Sequence, residues 1–169
     1  MASPSLLIAS SSCGDTHYVK RVPGLTSALS HDASVYVAVP QDGKYGRKTY
    51  RGSGVLAAQA VSVAFAPYVT RLTVGHTTED FNTAHASAKA GHDTYLLYSE
   101  ILHWEDRKTE WSGLPDKVSI KVSLVEVETG NILDSAVIGD TGGVIAVNIR
   151  PEHLLPKPLA EYAASLYGQ

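Results

Sequence analysis

The sequence predicts an α/β fold, a single mixed β-sheet of about five strands packed by three helices. Three observations lead there. Val35-Tyr36-Val37-Ala38-Val39 is apolar at every position, as expected of a strand covered on both faces. Helical patterns follow each of the first two strand patterns, an order that yields parallel neighbours joined by crossovers. Two late strand patterns flank Glu128-Thr129-Gly130-Asn131, a hairpin turn that makes the end of the sheet antiparallel.

The elements follow in chain order. Residues 1–13 read as a leader and 14–33, polar and turn-rich with Pro23-Gly24, as a flexible tether, so the domain is assigned to 34–169. Pro40 ends the first strand by removing a ladder donor. A polar, glycine-bearing loop runs to Gly54, and Val55 to Val69 is apolar nearly all round, which predicts a largely buried helix. A short strand at Leu72 to Val74 precedes a helix opened by Thr77 and Asp80, with Phe81, Ala84, His85 and Ala88 on one face and Gly91 as its stop. Tyr95 begins a strand that continues towards Trp104. Val118, Ile120, Val122 and Leu124 then alternate with Lys117, Ser119, Lys121 and Ser123, which places the second set on a wet face. The shift to Val125 and Val127 predicts a bulge near Leu124-Val125 before Ile132 to Ile138 returns as the partner strand. Leu155, Leu159, Tyr162, Ala163 and Leu166 share one face of a last helix with Pro156 or Pro158 in its first turn.

At 169 residues, with 44% hydrophobic and 18% charged residues, the chain suits one ordinary core and not two. A net charge of -3 lacks the basic field that neutralises phosphates, so no nucleic-acid partner is expected. The apolar run Leu6-Leu7-Ile8-Ala9 is far shorter than the roughly 20 residues that span a bilayer. It leads instead to Ser10-Ser11-Ser12-Cys13-Gly14. Small residues before a lone Cys are what a lipoprotein signal peptidase accepts, which makes Cys13 a lipidation site and a membrane the first partner. No Lys or Arg precedes the apolar run, and Ser10 stands where Leu is usual; the plainer alternative is an idle thiol in a leader.

Signals for catalysis are weak, and neither an enzyme nor a cofactor is expected. Gly52-Ser53-Gly54 partly matches a dinucleotide fingerprint but follows a long loop rather than a strand, so glycines capping a helix explain it more simply. Among seven histidines only His103 with Glu105 makes a close His-acid pair, and no metal-binding pattern emerges. Ser53 lacks the pattern that surrounds a hydrolase nucleophile.

One segment stands apart. Trp104, Glu105, Asp106, Arg107, Glu110 and Trp111 put both tryptophans and several charges between two strands. As a recognition loop, its Trp residues would anchor in a partner and Arg107 would set orientation. As a self-packed hairpin, Trp104 and Trp111 would stack and Arg107 would pair with Glu105 or Glu110. Trp104, continuing the apolar strand, is the better core residue and Trp111 the more exposed. Tyr45, Tyr50, Arg47, Lys48 and Arg51 form a smaller basic aromatic cluster, read as a solvated loop.

His103-Trp104-Glu105-Asp106-Arg107-Lys108-Thr109-Glu110-Trp111-Ser112-Gly113, and Leu154-Leu155-Pro156-Lys157-Pro158-Leu159 leading to Tyr167, resemble a family of small Gram-negative lipoproteins known as a domain of unknown function. Cys13-Gly14-Asp15-Thr16-His17 and Val35 to Pro40 with Tyr45-Gly46 resemble it too. The resemblance implies a fold similar to the amino-terminal domain of the TolB translocation protein and to the curli and Pel secretion lipoproteins, a CsgG-like, anticodon-binding-domain-like architecture. It also implies an envelope lipoprotein on the periplasmic face of a membrane, the outer membrane by that likeness. Such a protein acts without catalysis, through contact with an envelope partner, assembling or bracing a secretion or surface complex. Some of those relatives form rings, which opens the option of a homo-oligomer. The alternatives are a saccharide- or nucleotide-binding module using Trp104, Trp111 and Gly52 to Gly54, and a hydrolase.

Overall fold

The computed structural model describes residues 17–106, 116–141 and 150–169. Its main sheet has six strands: β1 (Tyr18–Val22), β2 (Ser34–Val39), β5 (Arg71–Thr78), β6 (Tyr95–Glu105), β7 (Lys117–Glu126) and β8 (Ile132–Thr141). A two-stranded hairpin, β3 (Lys44–Tyr45) with β4 (Lys48–Thr49), stands apart from it. Three helices complete the described fold: α1 (Ser53–Phe65), α2 (Phe81–Ala90) and α3 (Pro156–Leu166). None is long and apolar enough to cross a membrane.

Strand order across the sheet is β1-β8-β7-β6-β2-β5. β2 lies between parallel partners, with Val35 opposite Leu72 on one side and Tyr95 on the other. Both of its faces are covered, and Val35, Val37 and Ala38 are at most 1% exposed. β6, β7 and β8 form the antiparallel meander, and the register slips between Leu124 and Val125. At the β7–β8 turn Gly130 has φ 74°, which an L side chain rarely adopts, and its N–H donates to Glu126 O at 2.8 Å.

The two faces are covered unequally. α1 and α3 pack on one, where Phe65, Tyr162, Leu155, Leu159 and Leu166 meet Val37, Leu97, Ile120 and Ile138 in the main core. α2 covers the other with Ala84 and Ala88 against Tyr36, Leu96, Val125 and Val127. Asp80 caps α2 by accepting from the Thr83 N–H at 2.8 Å, which holds its carboxyl below the ordinary range. α2 ends at Gly91 in right-handed geometry, and it is His92 that takes a positive φ of 54°.

Three expectations are corrected. Residues 14–33 are not all tether, because Tyr18–Val22 pairs antiparallel with β8 and Leu29 and Ala33 are buried. Asp134 explains why the segment is fixed. Its buried carboxylate accepts from Arg21 Nε at 3.0 Å and from the Gly24 N–H at 3.1 Å, while Tyr162 Oη donates to it at 3.0 Å. Second, α1 is only half covered: Val55 and Leu56 are exposed, and so is Val63 at 71%. An all-apolar helix carries no sequence signal for the side that is left open. Third, the face of Ser119 and Ser123 is not wet, since both are buried. Ser119 lies under the Tyr18 hydroxyl, which is 3.2 Å from its Oγ, and Ser123 sits between Tyr98 and Ser135 on the neighbouring strands.

Candidate functional site

Because β2, β5 and β6 are parallel, their carboxyl ends lie together, and the segments that leave them build one end of the molecule. Beyond Pro40 the chain turns so that Asp42 faces the amino end of α1. Its carboxylate accepts from the Gly52 N–H at 3.1 Å and the Gly54 N–H at 2.9 Å. Ser53 Oγ accepts from the Gly43 N–H at 2.8 Å. Gly52 takes φ 86°, and a Cβ on Gly54 would lie 2.2 Å from Pro40 O.

These contacts decide the fingerprint question. The amides that would hold a phosphate already hold Asp42, and the glycine at 54 allows the helix to approach the backbone of residue 40. Gly52-Ser53-Gly54 is therefore a helix-capping turn, and the nucleotide reading loses its phosphate site. The hydrolase reading fares no better, because Ser53 is buried at 2% exposure with its oxygen engaged.

Beside this turn lies a cleft of about 340 Å³. Trp104, Ser53 and Leu56 are among its lining residues, and Lys48, Arg51, Asp106, Arg150 and Glu152 supply its charges. Lys48 Nζ stands 4.4 Å from the centre of the Tyr50 ring, and Arg150 is 3.9 Å from Glu152. Such a lining can attract ions and donate hydrogen bonds. Among the described residues that line it there is no histidine or cysteine to serve as base or nucleophile.

The expected recognition loop divides. Trp104 is 2% exposed and belongs to the main core, opposite Val118. Gly43 packs so closely that a Cβ there would meet Trp104 Cβ at 2.5 Å. An indole so enclosed cannot enter a partner's pocket or stack on a sugar, so the recognition role and the saccharide alternative do not extend to Trp104. Glu105 is also buried, at 5%, with His103 Nε2 3.1 Å from its carboxylate. Asp106, half-buried, faces the cleft. Arg107, Glu110 and Trp111 lie outside the described residues, as does the lipidation candidate Cys13.

Sequence spacing missed a second His-acid pair, His17 with Glu161 at 3.0 Å, because it joins distant segments. His85 instead faces the backbone, 2.8 Å from Val127 O. Among the described residues no group of three or more His, Cys, Asp or Glu could hold a metal ion.

On the α2 side lies a small polar network, buried at Tyr36, Glu79 and Asp93 and open at Arg71. Tyr36 Oη donates to Glu79 at 2.8 Å and Ser87 Oγ donates to it at 2.7 Å, while Arg71 pairs with Asp93 at 3.0 Å. Burial, helped by the bond to Glu79, pushes the Tyr36 phenol up to about 12, and burial alone leads the shift of Tyr167 to about 12. Tyr162 is raised too, by burial and then by the charge of Asp134. Unfolded tyrosines ionise near pH ~10. The folded state retains protons that the unfolded chain loses, so this stability is complete below about pH 10 and disappears as pH rises towards 12. Urea midpoints should hold level to about pH 9.5 and then fall, with phenolate absorbance appearing together with unfolding. Free titration of all tyrosines near pH ~10 in the folded protein would contradict the burial of these three.

Comparison with known proteins agrees with the fold. The PelC dodecamer from Paraburkholderia phytofirmans superimposes with a TM-score of 0.71 at 16% identity, over 89% of this chain and 97% of that one. A Xanthomonas campestris protein of the DUF330 family gives 0.51 at 12% identity, over 87% and 88%. Lipoprotein GNA1162 from Neisseria meningitidis gives 0.51 at 17%, over 79% and 99%. No curated protein matches the sequence. The model of a domain of unknown function, DUF4823, matches residues 27–166, nearly everything from the end of the Arg21 clasp to the last turn of α3, and the chain belongs to that family.

Proposed function

We propose that this chain is a non-catalytic lipoprotein of a bacterial envelope, anchored by acylation of Cys13, that works by protein contact and assembles with copies of itself. The observation that carries the reading is the likeness over 89% of the chain to PelC, which is a dodecamer in its solved structure. Likeness to the lipoprotein GNA1162 supports the anchor. Self-association has local support as well. From Ser53 to Thr70 no residue is charged, yet Val63 stands 71% exposed, an apolar surface of the kind that contacts cover.

Cell fractionation together with native mass measurement tests both parts. The wild-type chain should sediment with membranes and leave mild detergent as an oligomer, whereas Cys13→Ser should move to the soluble fraction, because acyl chains supply about 0.8 kcal/mol per buried methylene. Unchanged membrane recovery of Cys13→Ser sinks the anchor. A monomer at every concentration sinks the assembly.

A further inference from the structure

We infer that the β3–β4 hairpin is a second membrane contact, a cationic tip that docks on anionic lipid headgroups. The inference rests on the lipid-anchor reading for its orientation but not for its chemistry. Lys44, Arg47, Lys48 and Arg51 fall within eight residues, all are exposed, and among the described residues none forms an ion pair. This is a positive island on a chain of net charge -3. Carboxylates share this end of the sheet: Asp42 is engaged by the amides of α1, Glu105 is buried beside His103, Glu152 pairs with Arg150, Asp106 faces the cleft, and Asp116 and Asp140 stand at the start of β7 and the end of β8, so the positive island is confined to the hairpin itself.

Apolar groups accompany the charge. Tyr45 is 46% exposed, its ring 5.1 Å from that of His103, and the adjacent Leu102 is 53% exposed at the register break in β6. Leu56, also exposed, borders the same cleft as Lys48 and Arg51. Cations interleaved with exposed apolar side chains suit the headgroup region of a bilayer, where Lys and Arg near an anionic surface are attracted to the lipid charge.

The sheet register places this tip at the same end of the sheet as the start of β1. His103 lies opposite Ser119, Ser119 opposite Gly139, and Gly139 opposite Tyr18, so one line across four adjacent strands joins the hairpin to the start of β1. Three strand spacings are about 14 Å. Cys13 precedes His17 by four residues, a reach of at most about 14 Å. A lipid on Cys13 would tether the domain by the end of the sheet that carries the hairpin. The opposite end carries Asp32, Glu126 and Glu128 against Lys89, with Arg71 and Arg21 paired to Asp93 and Asp134, a small acidic excess that an anionic surface turns away.

The test uses the full chain carrying Cys13→Ser, so that no acyl group contributes. At low salt this protein should partition onto phosphatidylcholine vesicles containing about a third phosphatidylglycerol and ignore pure phosphatidylcholine. Adding K44Q/R47Q/K48Q/R51Q should lower the partition coefficient by roughly two orders of magnitude or more, with the thermal midpoint unchanged, while K44R/K48R retains binding. Equal binding by the neutralised protein overturns the inference. Retention on dextran sulfate with no binding to the anionic vesicles also overturns it, in favour of a soluble anionic polymer. Neither outcome bears on acylation, which the fractionation of Cys13→Ser decides separately.

Discussion

Replacing Asp134 with Ala should cost about 3 kcal/mol of folding free energy, because it removes a fully buried carboxylate on which three groups depend, the buried Tyr162 hydroxyl among them. The Asp134 side chain has no exposure, and Arg21 approaches it through Nε at 3.0 Å and Nη2 at 2.9 Å. Those bonds hold the Arg21 guanidinium above its already high ordinary value, and its charge persists after the carboxylate is gone because arginine stays protonated without a partner. Tyr162 Oη and the Gly24 N–H lose their acceptor in the same step. The loss should begin at the sheet edge. Amides of Tyr18–Val22, paired with β8 from Tyr18 opposite Gly139 to Val22 opposite Ser135, should exchange faster in Asp134→Ala before the rest of the sheet does. Asp134→Asn should lose less, since its amide oxygen can still accept. A urea midpoint within error of wild type for Asp134→Ala would show that the clasp contributes nothing to stability.

Trp104→Ala is expected to be at least as damaging, by about 3–5 kcal/mol, for a different reason. The indole fills the space between β6, Val118 and the close-set backbone of Gly43, and its removal leaves a void that those rigid neighbours cannot fill. Trp104→Phe should recover much of the loss by restoring volume. The informative comparison is between stability and partner recovery from envelope membranes. A core indole predicts a large shift of the urea midpoint, with recovery falling only as far as the folded fraction falls. Full stability with abolished recovery would return Trp104 to a recognition role.

How much of this could be read from the chain depends on the distance over which each signal acts. β2, the β7–β8 turn at Gly130 and the register slip at Leu124-Val125 are legible because a few consecutive residues contain the whole pattern. The buried stripe of α3 is legible for the same reason, from Leu159 to Leu166. β1 is not, since Tyr18-Val19-Lys20-Arg21-Val22 looks like polar linker until Asp134 is beside it, and that partner is 113 residues from Arg21. The cleft is illegible in the same sense, for Lys48, Trp104 and Arg150 come from separate segments. The Gly52-Ser53-Gly54 turn is legible as a helix cap, but the group it holds is not. Its residues suit a phosphate or a carboxylate equally well, and only the fold reveals that Asp42 occupies the place.

The clasped edge strand also sets how the domain bears mechanical load. A pull on the segment ahead of Tyr18 enters the fold through β1, and it enters at the hairpin end of the sheet. Traction away from that end runs along the strand axis, so the β1–β8 ladder is sheared and its pairs from Tyr18 to Val22 must give way together. Traction across the sheet would instead peel them apart one at a time. The Arg21–Asp134 contact near the far end of β1 resists sliding like a rivet, because the strand cannot advance by one residue without tearing a buried ion pair. A tug from a surface beneath the domain thus meets its stiffest direction, and a sideways force its softest.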